Sequence, residues 1–463
     1  MKEFQTNISA PMQPNKMGVL SEGKLLISMG IPLSLSMLIQ ALYNIVDSIF
    51  VSYLGENALT AVSLAYPMYM LMISVAVGTG VGMNSLISRR LGARRYEDAN
   101  KAAANGLMLM ACSALAFVLF GIFGVRPFME AYTKIPEICE MGITYLSICC
   151  ICCIGLFLQI FCERIMQSQG MNLYAMLMQL VGAVLNIIFD PILIFGLFGF
   201  PKMGIAGAAF ATVGGQIIGM LFSFLLVLGK HSQVRISLRG FRPSGHVIKK
   251  IYQVGLPSIV MQAIGTFMNL LMNGILIVFT ETAVAVFGVY FKVQSFAIMP
   301  VLGLSNASMS IMAYNYGARN NARLMRTWRL TLTTGIIIML LFTTVFMLLP
   351  NQILSLFNAS PDMLRIGHAA LTIMPLCLPF AAASISMSML FQAVGSGFYS
   401  MMLSLARQLI VLVPVAWLLA IITNDVTIVW CAIPIAEVVS LLICILFMVK
   451  TYRDKIVPLK CSV

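Results

Sequence analysis

Two aspartates stand inside long apolar runs, Asp47 in LISMGIPLSLSMLIQALYNIVDSIFVSYLG and Asp190 in LMQLVGAVLNIIFDPILIFGLF. An ionised carboxylate at the centre of a bilayer costs about 2.5–3.5 kcal/mol on insertion scales, so such a residue normally faces protein or a water-filled cavity and is functional by default. Each aspartate has polar company at helical spacing. Gln40, Asn44 and Asp47 fall on one helix face with Tyr43 beside them, Asn186 precedes Asp190 by one turn, and Thr212 and Gln216 repeat that spacing further along. Polar stripes on several helices suit a small hydrophilic pocket, able to hold a proton shared between carboxyls or a hard cation such as Na⁺.

The elements that must position these groups are membrane spans. Hydrophobic residues make up 60% of the 463-residue chain and charged residues 10%. Apolar stretches long enough to cross roughly 30 Å of hydrocarbon as a helix recur throughout. Twelve are expected, at about 25–54, 58–86, 101–125, 141–167, 172–198, 205–229, 249–279, 282–314, 324–349, 365–394, 399–422 and 427–450, which makes the fold all-α. Lys and Arg gather in the even-numbered connections: Arg89, Arg90, Arg94, Arg95 and Lys101, then Lys230, Arg235, Arg239, Arg242, Lys249 and Lys250, then Arg319, Arg323, Arg326 and Arg329. The odd-numbered ones carry only Arg126, Lys134, Lys202 and Arg365. The positive-inside rule then puts both termini in the cytoplasm of a multi-pass cell-membrane protein. The net charge of +13 reports that topology and contact with anionic head groups, not nucleic acid. Residues 1–24 are polar, and no cleavable signal peptide is expected.

The chain repeats itself at an offset of 225 residues. Gly30-Ile-Pro32 recurs as Gly255-Leu-Pro257, Gly78 as Gly303, Gly92-Ala93-Arg94 as Gly317-Ala318-Arg319, and Gln167, Gly170 and Tyr174 as Gln392, Gly395 and Tyr399. Near the end the offset shortens to 221, aligning Gln216 with Glu437. Six spans per copy give both copies the same orientation, related by a pseudo-two-fold axis along the membrane normal. Parallel repeats of this kind are a transporter architecture, with a midplane site and access alternating as one half rocks on the other. The expected units are a cytoplasmic segment 1–24, an N-lobe 25–229, a basic linker 230–248, a C-lobe 249–450 and a tail 451–463. At the offset of 225, Asp47 matches Met272 and Asp190 matches Val415, so the carboxylate chemistry belongs to the N-lobe.

Prolines mark helix kinks at Pro32, Pro191 and Pro434, each removing a backbone hydrogen bond. A kink beside a titrating group couples charge to shape. Lys292 and Glu437 are charged residues inside C-lobe spans and candidates for the cavity wall, as are Gln262, Asn269 and Asn273 of the seventh span. In Cys149-Cys150-Ile151-Cys152-Cys153 only Cys149 and Cys153 share a helix face, so these cysteines are read as small packing residues, not metal ligands. His231, His246 and His368 fall in loops or at helix edges and offer no HExxH motif. No cofactor and no enzyme activity are expected.

The first span with Asp47, the LNIIFDP run with Asn186 and Asp190, the MGIAGAAFATVGGQ run with Thr212, YNYGARN, FKVQSFAIMP and IPIAE together resemble the multidrug and toxic compound extrusion (MATE) transporters over the whole chain. The resemblance implies a V-shaped, twelve-helix antiporter of two six-helix lobes, exporting organic cations as a monomer in exchange for H⁺ or Na⁺. It also implies that Asp47, Asn186, Asp190 and Thr212 bind the coupling ion. Some members carry an acid in the seventh helix; none stands there in this chain. The alternatives are a lipid-linked precursor flippase of the same superfamily, which needs more cavity Arg and Lys than Lys292 alone, and an intramembrane enzyme, for which no motif is present.

Overall fold

The computed structural model describes residues 15–229, 232–236, 241–357 and 360–459, apart from the Asn44 side chain. Asn44 as a cavity residue, and Lys230, His231 and Arg239 of the linker, therefore lie outside the described residues. The spans are α1 (Glu22–Ser52), α2 (Glu56–Gly92), α3 (Tyr96–Phe123), α4 (Pro136–Ile151 and Ile154–Ser168), α5 (Asn172–Phe195), α6 (Ile205–Val227), α7 (Gly245–Leu276), α8 (Glu281–Gly317), α9 (Asn321–Leu348), α10 (Pro361–Ala393), α11 (Gly397–Thr423) and α12 (Val426–Ile456). Helices are what a bilayer demands, since no water is there to satisfy exposed backbone groups. Eleven pass as single spans and α4 is a pair bent by 46°. Its break falls at Cys152 and Cys153, inside the cysteine cluster; Cys149, Cys150 and Cys153 are buried and all three are free thiols.

The duplication is visible in the backbone. Arg94 and Arg319 take left-handed φ values of 57° and 56°, and Gly170 and Gly395 take 84° and 77°. A non-glycine residue in that region is uncommon, so each pair is the same tight turn built twice. Pro32 and Pro191 lie inside their helices, which run on through them. Pro434 differs. The chain breaks helix before Ala432, and Pro434 sits in the first turn of the segment that restarts there, where a missing N–H costs nothing. The irregularity in α12 therefore precedes Pro434.

Across the pseudo-axis α1 packs along α8 and α2 along α7. The closest approach is at the Arg-rich end. A Cβ on Gly92 would stand 1.8 Å from the Tyr314 carbonyl oxygen, and one on Gly317 would stand 1.9 Å from that of Arg89; only glycine permits either contact. Residues ahead of α1 run over the same end. Asn15 donates to the Gln169 carbonyl and to Gln233, Met17 is fully buried, and its carbonyl accepts from Arg323 at 3.3 Å. Residues 15–20 thus touch both lobes.

Candidate functional site

Asp47 lies near the far end of α1 and Asp190 near the far end of α5, and their carboxyl groups face each other at hydrogen-bonding range. An ionised carboxylate only accepts, so two carboxyls bond only when one carries a proton. Oδ1 of each is buried without a donor among the described residues. Asn186, one turn before Asp190, is buried between them and α6. Amide orientation follows from partners: with its nitrogen toward the carboxylate, Asn186 donates to Asp190 Oδ2 at 3.2 Å and its oxygen accepts from the Thr212 hydroxyl at 3.2 Å. The four residues expected to act together are therefore together. Pro191 follows Asp190 directly and leaves α5 continuous through Phe195.

One cavity reaches Asp47, and a second is bordered by Asn186 and Thr212, the neighbours of Asp190. The first, of about 190 Å³, opens between α1 and α2 and is lined by Asp47, Ser48, Val51, Leu59, Val62, Ser63 and Tyr66. The other, of about 230 Å³, is the interior of the N-lobe, with Gln40, Tyr43, Asn186, Thr212 and Gln216 on its wall and Gln262 reaching it from α7. Gln216 donates to the Tyr69 hydroxyl at 3.2 Å, and Tyr43 hydrogen-bonds Tyr69. Tyr145 hydrogen-bonds Cys149 on the same side of α4.

The larger cavity also holds Gln159, Glu163, Arg164 and Gln179, which the sequence reading passed over. Glu163 is 2% exposed. Gln159 Nε2 donates to its Oε1 at 3.3 Å and Gln179 Nε2 to its Oε2 at 3.0 Å. Arg164 turns to Gln167 Oε1 at 2.8 Å, with its Nε unpartnered. A usable signal existed: Gln159 and Glu163 are one turn apart inside the fourth span, the same polar stripe that drew attention to α1, α5 and α6.

The remaining C-lobe candidates sit elsewhere. Asn269 donates to the Gly265 carbonyl at 3.0 Å, Asn273 is half-buried and Lys292 is exposed; neither described cavity includes any of them. Glu437 is buried and accepts from Arg407 Nη1 at 3.0 Å, while its Oε2 has no partner among the described residues. Arg407 lies in a π-helical stretch of α11, Ala406–Leu412. His368 lies within α10 rather than in a loop, exposed and 3.2 Å from Asn351. Among the described residues no three His, Cys, Asp or Glu side chains converge as a metal cluster.

The MatE family model matches residues 32–192 and again 257–418, once in each half. The chain is 23% identical over 427 residues to the multidrug export protein MepA of Staphylococcus saprophyticus, covering 92% of this chain and 93% of that one. It is 24% identical to an FAD transporter of Shewanella oneidensis, covering 90% of each. A solved outward-facing structure of a multidrug resistance MATE transporter of the MOP superfamily superposes with a TM-score of 0.90 at 29% identity, over 97% of this chain and 99% of that one. A MOP-superfamily transporter from Pyrococcus furiosus, described as having a binding pocket of reverse polarity that suggests a different function, gives the same score and identity over 98% and 100%. With both halves matched by the family model and a multi-pass helical fold to go with them, this chain belongs to the MatE family of membrane transporters and is not an enzyme.

Proposed function

We propose that the protein is a secondary active exporter of organic cations and other small xenobiotics, driven by H⁺ or Na⁺ moving inward, with Asp47, Asn186, Asp190 and Thr212 as the coupling site. The observation that carries this reading is the contact between the Asp47 and Asp190 carboxyls, with one cavity at Asp47 and another at Asn186 and Thr212. Such a pair is left one positive charge short of neutrality whenever it holds a single proton, and a second proton or a Na⁺ completes it. The resulting change in the packing of α1 against α5 acts on the kinks at Pro32 and Pro191. In this scheme the Arg-rich end faces the cytoplasm of the cell membrane and is the closed side, and the lobes rock apart there to load substrate as a monomer. One charge crossing 100 mV supplies about 2.3 kcal/mol, roughly a 50-fold substrate gradient.

The experiment is ethidium export from proteoliposomes under a pH gradient and, separately, a Na⁺ gradient. Wild-type export under one of them and none with Asp47→Asn or Asp190→Asn supports the reading; export by both variants at the wild-type rate rejects it. A second reading, export of an anionic dinucleotide, is favoured by the buried Arg164 on the cavity wall and by the relative named an FAD transporter. Competition decides between them: FAD that suppresses ethidium efflux supports the anionic substrate.

A further inference from the structure

Glu163 is a buried carboxyl that the coupling scheme does not use. It is 2% exposed, lines the N-lobe cavity, and both its oxygens accept only from neutral amides, those of Gln159 and Gln179. The groups facing it are few. On its own helix Cys162 and Arg164 flank it, and Arg164 makes no ion pair with it within 4.0 Å among the described residues; its guanidinium is bound to Gln167. To the same cavity α1 presents Tyr43, α2 Tyr69, α5 Gln179 and α6 Gln216. A charged group inside a membrane needs a counter-charge, and no side chain here pairs directly with this one.

We propose that Glu163 is a second proton-binding site of the transport cycle, separate from the Asp47–Asp190 pair and relayed to α1 through Gln179 and Ser36. Three observations select a proton over other cations. The exposed sliver of Glu163 is too small for an organic cation to press against. Gln159 Nε2 also donates to the Met178 carbonyl at 3.2 Å, an obligate acceptor that fixes the amide with its N–H₂ toward Glu163, and N–H groups repel a metal ion that requires oxygen ligands. The third is the connection onward: Gln179 joins Glu163 on one side to the Ser36 hydroxyl on the other.

The proton balance follows from those bonds. With Glu163 ionised, Ser36 donates to Gln179 Oε1 and Gln179 Nε2 donates to Glu163. When a hydronium ion in the cavity gives its proton to Glu163 Oε2 and leaves as water, that oxygen becomes a donor. Gln179 then turns its amide, its oxygen accepting from Glu163 and its nitrogen donating to Ser36 Oγ. Ser36, one turn beyond Pro32, keeps its hydrogen and must turn its O–H toward another acceptor. The kinked helix that carries Asp47 thereby registers a second protonation event.

This inference rests on the H⁺-antiport reading, and the test separates the two. Ethidium is added to the purified full-length protein in weakly buffered detergent, and released protons are counted with a pH dye. Glu163→Gln is expected to release about one proton fewer per bound ethidium than wild type, and Glu163→Asp to restore the count. Equal counts for wild type and Glu163→Gln overturn the proposal; binding to wild type with no release at all overturns proton coupling as a whole. Gln179→Leu keeps the carboxyl while cutting the relay, so it is expected to release the wild-type count and slow pH-driven efflux about tenfold. Unchanged efflux with Gln179→Leu removes the relay.

Discussion

Where the N-lobe has Gly182 and Gln216, the C-lobe has Arg407 and Glu437. In the N-lobe those positions border empty space; in the C-lobe an arginine occupies the equivalent of the glycine and pairs with the acid at 3.0 Å. The rest of the contrast runs the same way. Asp47 and Asp190 become Met272 and Val415, and Gln159 and Glu163 become Ser384 and Ser388. One copy of the duplicated fold supplies its own counter-charge. The other keeps carboxyls that make no ion pair among the described residues, so in the proposed scheme their missing charge comes from outside the chain. The difference teaches that a binding site in a duplicated fold is as much a matter of what one half has neutralised as of what the other has kept.

The two lobes differ most at the Asp47–Asp190 pair, which the C-lobe replaces with Met272 and Val415. Asp190→Asn is expected to lower gradient-driven ethidium export on the order of a hundredfold, near the top of the range for coupling between sites. Met272→Asp in the C-lobe is expected not to restore it, because Val415 stands where a partner carboxyl would be needed. Recovery of export in the Asp190→Asn, Met272→Asp double variant would show the lobes to be interchangeable.

Filling the N-lobe as the C-lobe is filled should come next. A Cβ at Gly182 already meets Gln159 Nε2 at 3.2 Å, and Gly182→Leu carries bulk into the cavity. We expect ethidium binding to weaken about tenfold with the protein still folded, measured by equilibrium fluorescence; undiminished affinity would place the substrate elsewhere.

In the C-lobe the expected effect is on stability. Glu437→Gln strands Arg407 and should cost about 2–4 kcal/mol, less than a fully buried pair because Arg407 keeps partial contact with its surroundings. The double change Arg407→Met with Glu437→Leu should fall within about 1 kcal/mol of wild type. Thermal unfolding in detergent reads both, and a double variant as unstable as Glu437→Gln would mean that the charges themselves are required. Smallest of all, Lys292→Ala is expected to change export by less than about twofold, since the side chain is exposed; a large loss would put Lys292 on the substrate path.

Most of the fold was legible because two periodicities are written plainly in the chain. Apolar length marks the spans, and the 225-residue repeat carries over even to the left-handed Arg94 and Arg319. Helix ends were less legible: α2 and α8 run on to Gly92 and Gly317, past the point where hydropathy falls, because the two lobes pack on each other there. At the site, the cost of a lone charge marked Asp47 and Asp190 and helical spacing marked Asn186, while Thr212 joined them through the resemblance to the MATE transporters. Glu163 escaped the same logic because Arg164 follows it, and adjacent opposite charges near a span end look like a self-neutralised pair at an interface. On a helix consecutive side chains diverge, and Arg164 is bound to Gln167 instead. Glu437 illustrates the reverse: an acid inside a span whose partner, Arg407, lies on another helix and is invisible to local spacing.

Met17 gives the Arg-rich end a property of its own. With Asn15 tied to Gln169 and Gln233, and the Met17 carbonyl held by Arg323, the stretch before α1 works as a crossbar laid over the seam between lobes. If the lobes part at this seam as proposed, a wholly buried methionine would be withdrawn, at a cost of about 1.5–3 kcal/mol. In the proposed scheme that sum would be set by residues lying ahead of the first span, and a single substitution at Met17 would retune the balance between the closed and parted lobes without touching the membrane interior.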